Sequence, residues 1–100
     1  MSIKPSVAVR DNLDRIRAIM ARHSLKTAKI FGSTARGQDT PASDIDVLVE
    51  PTEHTSLMDL ARLKIELEDL LGAKVDIATS AALPDDIAKS IATDLMPLYP

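Results

Sequence analysis

The chain has 100 residues, 12 basic and 15 acidic, with a formal net charge of −3; that length allows one domain, and the acidic balance argues against a protein that grips a polynucleotide through a basic face. It is 45% hydrophobic with no cysteine, and Phe31 and Tyr99 are its only aromatics. This predicts an aliphatic core, no disulfide or thiolate chemistry, and no stacking platform for single strands. No apolar run approaches the ~20 residues of a membrane span, and the opening MSIKPSVAVRDN reaches charge too soon for a signal peptide, so a cytoplasmic protein that binds no membrane is expected.

Residues 6–23 read as a first helix, capped by Ser6 after Pro5, with Val9, Leu13, Ile16 and Met20 as its apolar stripe. His23 at its end reads as a partner of the helix dipole rather than as a ligand. Lys26–Phe31 (KTAKIF) is a short strand ending at Gly32, Ser33–Gly37 a helical turn closed by Gly37, and Gln38–Ser43 a loop. Asp44–Glu50 (DIDVLVE) is the clearest strand, stopped by Pro51. Residues 56–71 form the strongest helix. Ser56 or Thr55 can cap it, and Leu57, Leu60, Leu63, Leu67 and Leu70 mark its buried side. Gly72 is its C-terminal stop, and Asp59 and Glu66 to Asp69 read as solvated charges. Lys74–Thr79 (KVDIAT) is a third strand, with Val75 and Ile77 on one face and Asp76 on the other. Pro84 opens a last helix in which Ile87, Ile91 and Leu95 line up, Pro97 ends it, and Leu98–Tyr99 reads as extended. The fold class is therefore α/β (α+β type): a small mixed sheet with helices, in the order α-β-α-β-α-β-α. The span from Asp44 to Thr79 is long enough for a crossover between neighbouring strands.

The chemistry concentrates between Phe31 and Val49, FGSTARGQDTPASDIDVLV. A strand that ends at Gly32 and turns into a helix at Ser33 exposes free backbone N–H groups, lacks a Cβ where an anion would approach, and adds a hydroxyl donor. Taken alone, that pair is equally an ordinary turn with a helix cap. Asp44 and Asp46, two apart in a strand, aim their carboxylates to one side, about 6.6 Å apart along the chain. Asp76 sits mid-way in an apolar strand, and joins them if that strand is the neighbour of Asp44–Val49. Like charges ~4 Å apart cost on the order of 4 kcal/mol at an intermediate dielectric. Either their pKa values rise or a cation sits among them, and oxygen ligands without His or Cys select magnesium or manganese. A phosphate-cradling turn with three carboxylates is the parts list of metal-assisted phosphoryl or nucleotidyl transfer.

Gly32-Ser33, ten intervening residues, then Asp44-x-Asp46 resembles the signature of the DNA polymerase β-like nucleotidyltransferase superfamily. The extended form, GSTARG…SDIDVLV…KVDIAT, is most similar to the minimal nucleotidyltransferase (MNT) family, over nearly the whole chain. Ala73 departs from that pattern, standing where a basic residue is frequent. The resemblance implies the polymerase β-like fold in a single minimal domain, residues 1–100. It implies that Gly32 and Ser33 contact the phosphates of ATP and that Asp44, Asp46 and Asp76 hold magnesium, two ions in all, with Asp76 on the acceptor side. Arg36 matches the family's GSxARG arginine and is assigned to the nucleotide site or to support of the turn. Proteins of this family pair, as antitoxins, with HEPN-domain ribonuclease toxins, and are implicated in transferring AMP from ATP to a toxin tyrosine. The resemblance therefore implies an adenylyltransferase with a HEPN toxin as partner, in a homo- or hetero-oligomer. The alternative is a non-catalytic antitoxin that neutralises its partner by occlusion; a tRNA- or antibiotic-modifying transferase is disfavoured by small size and acidity. A domain this small borrows the orientation of its acceptor from a partner, for which the last helix and Leu95–Pro100 are candidate contacts.

Overall fold

The structure, a computed structural model, describes residues 3–91 and 95–99, apart from the side chains of residues 87, 90 and 91. In chain order it contains α1 (Pro5–Asp11), α2 (Leu13–Arg22), β1 (Leu25–Phe31), α3 (Ser33–Arg36), β2 (Ile45–Pro51) and α4 (Leu57–Leu71). β3 (Val75–Thr79), a 3₁₀ turn (Ser80–Ala82), α5 (Asp85–Ile91) and β4 (Met96–Tyr99) follow. The four strands form one sheet in the order β3-β2-β1-β4. β1 runs antiparallel to both β2 and β4, whereas β2 and β3 are parallel, joined by the α4 crossover.

Alternation along the strands decides which face is covered. Ala28, Ile30, Ile45, Val47, Val49 and Val75 are fully or almost fully buried against Val9, Ile16 and Met20 of α1–α2 and Leu63 and Leu67 of α4. The intervening residues Asp46, Leu48 and Glu50 are only partly buried, on the opposite face of β2. No described helix is long and apolar enough to cross a membrane.

Several expectations need correction. The first helix is two: the Asn12 amide donates to Ala8 O at 2.7 Å, a side-chain bond that competes with the helical ladder, and Asn12 itself has φ −124°. The apolar stripe survives the break. Ser6 is not the cap, because Pro5 occupies the first helical turn and Lys4 the N-cap position. Leu57 is 86% exposed, at the very start of α4 beyond the edge of the core, while Leu63 and Leu67 carry the burial and Leu60 and Leu70 pack partly. The tail is not merely extended: Met96–Tyr99 is a fourth strand on the edge beside β1, a position that tolerates Pro97 and its missing N–H. Pro97 therefore lies inside that strand rather than ending a helix. Leu95 lies outside α5, and the side chains of Ile87 and Ile91 are outside the described set. Ser56 does cap α4, in a reciprocal capping box with Asp59, and Gly72 closes the helix in the left-handed conformation.

Candidate active site

The signature stretch occupies one end of the sheet. β1 delivers Gly32 at its end, and Gly32 adopts φ 78°, ψ −156°, a conformation open to glycine and strained for other residues. The chain then enters α3 at Ser33, and Gly37 stops that short helix in the left-handed conformation. Phe31 pairs with Asp46 across β1–β2, which brings Asp46 alongside Gly32. A Cβ on Gly32 would stand 3.0 Å from Asp46 Oδ2. The missing side chain is thus what lets the turn and the carboxylate share one place.

Asp46 and Asp76 are direct partners in the parallel β2–β3 register. Asp44 lies just before β2, held by backbone bonds on both sides of it: Thr34 Oγ1 donates to Asp44 O at 3.3 Å, and Ile45 N–H to Lys74 O at 2.8 Å. Thr34, buried on α3, therefore ties the turn to the start of the carboxylate strand. On the edge strand β3, Val75 is gripped by α4: its N–H donates to Glu68 Oε2 at 3.0 Å, and Lys64 Nζ donates to its carbonyl. Those bonds fix the residue next to Asp76 and satisfy backbone groups of an exposed strand edge. Lys74 Nζ comes within 3.9 Å of Asp44 Oδ2.

Asp46 is partly buried, and Asp44 and Asp76 are exposed. Burial, reinforced by the charges of Asp76 and Asp44, pushes the Asp46 carboxyl above its ordinary range. Among the described residues no three His, Asp or Glu side chains close into a metal-holding cluster as they stand. The backbone register nonetheless pairs Asp46 with Asp76, and an all-oxygen donor set is the chemistry that suits a hard divalent cation. Ser33 heads α3 beside Gly32; Arg36, exposed in the last turn of α3, donates from Nε to Gln38 Oε1 at 3.1 Å. Two clefts, of about 410 and 370 Å³, lie against α1, α2 and α3 and not over the three aspartates. Thr34, Lys64 and Lys74 are the neighbours that sequence reasoning did not single out, and Glu68, expected to be a solvated charge, instead accepts from Val75 N–H and Lys64. Only the polar character of Thr34 beside the glycine turn offered a signal.

The nucleotidyltransferase domain family matches residues 13–99. The chain belongs to that family. It is a nucleotidyltransferase, and the polymerase β-like arrangement expected from the signature is the one observed. A candidate protein adenylyltransferase of Methanocaldococcus jannaschii is 52% identical over 65 residues, covering 65% of this chain and 70% of that protein. The protein adenylyltransferase MntA of Thermococcus cleftensis is 32% identical over 92 residues, covering 84% and 93%. Among solved structures, a candidate minimal nucleotidyltransferase superposes with a TM-score of 0.83 at 35% identity, covering 93% of this chain and 95% of that one. Two more distant structures share the fold. One is a toxin–antitoxin complex with AMP-PNP, with a TM-score of 0.73, 21% identity and coverage of 87% and 72%. The other is a tri-AMPylated HEPN toxin of Shewanella oneidensis in complex with its MNT antitoxin, with a TM-score of 0.66, 19% identity and coverage of 89% and 70%.

Proposed function

We propose that this nucleotidyltransferase moves AMP from ATP to a hydroxyl of a partner protein, a tyrosine of a HEPN-domain toxin, with magnesium as cofactor, and so acts as an antitoxin. The observation that carries the reading is the direct β2–β3 pairing of Asp46 with Asp76 beside the glycine turn. The adenylyltransferase names of the relatives and the HEPN toxins in the fold neighbours support the choice of nucleotide and partner.

In this reading Gly32 and the start of α3 receive the triphosphate, with backbone N–H groups and the Ser33 hydroxyl as donors. Arg36 lends charge or support from the end of the turn. Asp44, Asp46 and Asp76 hold magnesium, two ions when loaded, which would neutralise the phosphates and polarise the α-phosphorus. The acceptor oxygen forms a bond to that phosphorus, the bond to the bridging oxygen of the β-phosphate breaks, and pyrophosphate leaves. In this reading a carboxylate oxygen of Asp76, on the acceptor side, accepts the hydroxyl proton. A domain this small leaves the alignment of the acceptor hydroxyl to the partner that carries it. The single domain, residues 1–100, works in the cytoplasm, where ATP and the partner meet, in a hetero-oligomer with the toxin.

The test is to incubate the chain with the protein of the adjacent gene, ATP and Mg²⁺, and to weigh that protein by mass spectrometry. Additions of AMP mass that vanish in Asp44→Ala/Asp46→Ala are expected. A partner left unmodified yet inhibited by both forms would sink the catalytic reading in favour of occlusion.

A further inference from the structure

The reaction as described leaves out one buried carboxylate. Asp39 lies in the loop between α3 and β2, and its side chain has no exposed surface. Its Oδ2 accepts the backbone N–H of Ser6, 33 residues earlier, at 2.8 Å. Its Oδ1 is buried with no hydrogen-bond partner among the described residues, and the nearest cation, Lys4 Nζ, is 3.9 Å away. Lys4 in turn donates to Gly37 O at 3.0 Å, at the end of α3. The first turn of α1 thus grips the loop at two points just after the phosphate turn. Beyond Asp39 the loop leans on itself: Thr40 N–H donates to Ser43 Oγ and Ser43 N–H to Thr40 O, each at 2.9 Å.

A buried, half-satisfied carboxylate is a poor stabilising device, because an apolar side chain would fill the space without the cost of desolvating a charge. Burial pushes the Asp39 carboxyl up, and the Ser6 hydrogen bonds and Lys4 outweigh that and hold it below the usual range, ionised. What the arrangement does achieve is geometric. The loop joins the two halves of the site, Gly32–Ser33 and Asp44–Asp46, and Asp39 is its buried anchor.

We propose that Asp39 is a positioning residue, which ties this loop to the start of α1 and so holds the phosphate turn and the paired aspartates at the spacing a nucleoside triphosphate needs. The inference rests on the nucleotide reading above and extends the site to Lys4 and Ser6, which touch none of the reacting groups. It is tested on the full chain by the equilibrium dissociation constant for ATP–Mg²⁺ and by amide exchange over residues 37–44. Asp39→Ala is expected to weaken binding about tenfold, within the loss that ångström-scale misplacement causes, and to speed exchange in that loop. Asp39→Asn, whose amide oxygen still accepts from Ser6, should recover most of the affinity. Lys4→Ala, a surface change, should weaken binding about threefold, and decides the matter if Asp39→Ala does not fold. Ser56→Ala, which removes the α4 cap far from the loop, should lower Tm without moving the affinity. Asp39→Ala and Lys4→Ala chains that melt earlier yet bind ATP within about twofold of wild type would overturn the positioning role. A wild-type chain that binds no ATP would instead overturn the nucleotide reading.

Discussion

The two ends of the sheet treat carboxylates in opposite ways. At the end where β1 finishes, Asp46 is crowded by Asp44 and Asp76 and its carboxyl is pushed up. Near the other end, His23 is buried where α2 gives way to β1, its ring between Asp59 Oδ1, at 3.5 Å, and Glu66 Oε2. Glu66 also pairs with Arg22 at 2.9 Å, and Asp59 closes the capping box of α4. There the carboxyls are pulled down, Asp59 chiefly by Ser56 and Glu66 chiefly by His23. These are not the solvated charges expected from the sequence, and His23 is more than a dipole partner. One end has its charges matched by its own residues and joins α2 to α4. The other keeps Asp46 crowded by burial and like charge, with Lys74 reaching only Asp44, at 3.9 Å, which is the usual mark of a site shaped for binding rather than for stability.

The sharpest way to break that contrast is Asp46→Asn. Transfer activity is expected to fall by on the order of 10²–10³-fold, as when one electrostatic stabiliser is removed from a reacting centre. Thermal stability in the absence of divalent ions should move the other way. A carboxyl whose folded-state pKa is raised binds its proton more tightly in the native state, so wild type loses stability as pH rises through that range. The variant should therefore melt above wild type at pH 7, with the gap closing on acidification towards the ordinary aspartate range near ~3.9. Melting curves at several pH values check it; a variant less stable than wild type at pH 7 would place Asp46 with the matched carboxylates.

Next in size is Gly32→Ala. The strained φ and ψ cost on the order of 1–3 kcal/mol for a residue with a Cβ, and the new methyl carbon meets Asp46 Oδ2 at 3.0 Å. At roughly 4–8 °C per kcal/mol for a domain of this size, Tm should fall by several degrees or more, and ATP affinity should fall with it. Wild-type affinity in the folded variant would show that the turn does not receive the nucleotide.

The same contrast explains what could be read without a structure. Gly32-Ser33 and Asp44-x-Asp46 are local patterns whose geometry follows from a turn and a strand, and Asp76 betrays itself as a charge in an apolar strand. The α4 crossover that brings β3 beside β2 follows from its length. The rest depends on contacts between distant residues. The bond from Ser6 to Asp39 spans 33 residues, and His23 meets Glu66 across 43. Neither pairing has a local signal, and both replace a local assignment, of Ser6 as a cap and of Glu66 as a surface charge. Asn12 breaks a helix through one side-chain bond that the apolar periodicity does not register. Pro97 hides an edge strand because proline argues against strands everywhere except at edges.

The smallest expected effect is at the matched end. Glu66 lies partly exposed and its pairs are screened by water, so Glu66→Gln should cost at most about 1 kcal/mol at neutral pH. The sign of its pH dependence is what matters. A carboxyl held below its ordinary range contributes stability above the unfolded glutamate pKa of ~4.3, and that contribution is lost as pH falls through the lower folded value. Wild type and Glu66→Gln should therefore differ most near neutrality and converge in acid, the same direction of convergence as for Asp46→Asn but from below instead of above. ATP affinity should be unchanged throughout, because the cluster lies away from Gly32. A Glu66→Gln chain that binds ATP several-fold more weakly at pH 7 would mean that the two ends are not independent, and that α4 transmits strain from His23 to the clasp that Glu68 and Lys64 make on Val75, next to Asp76.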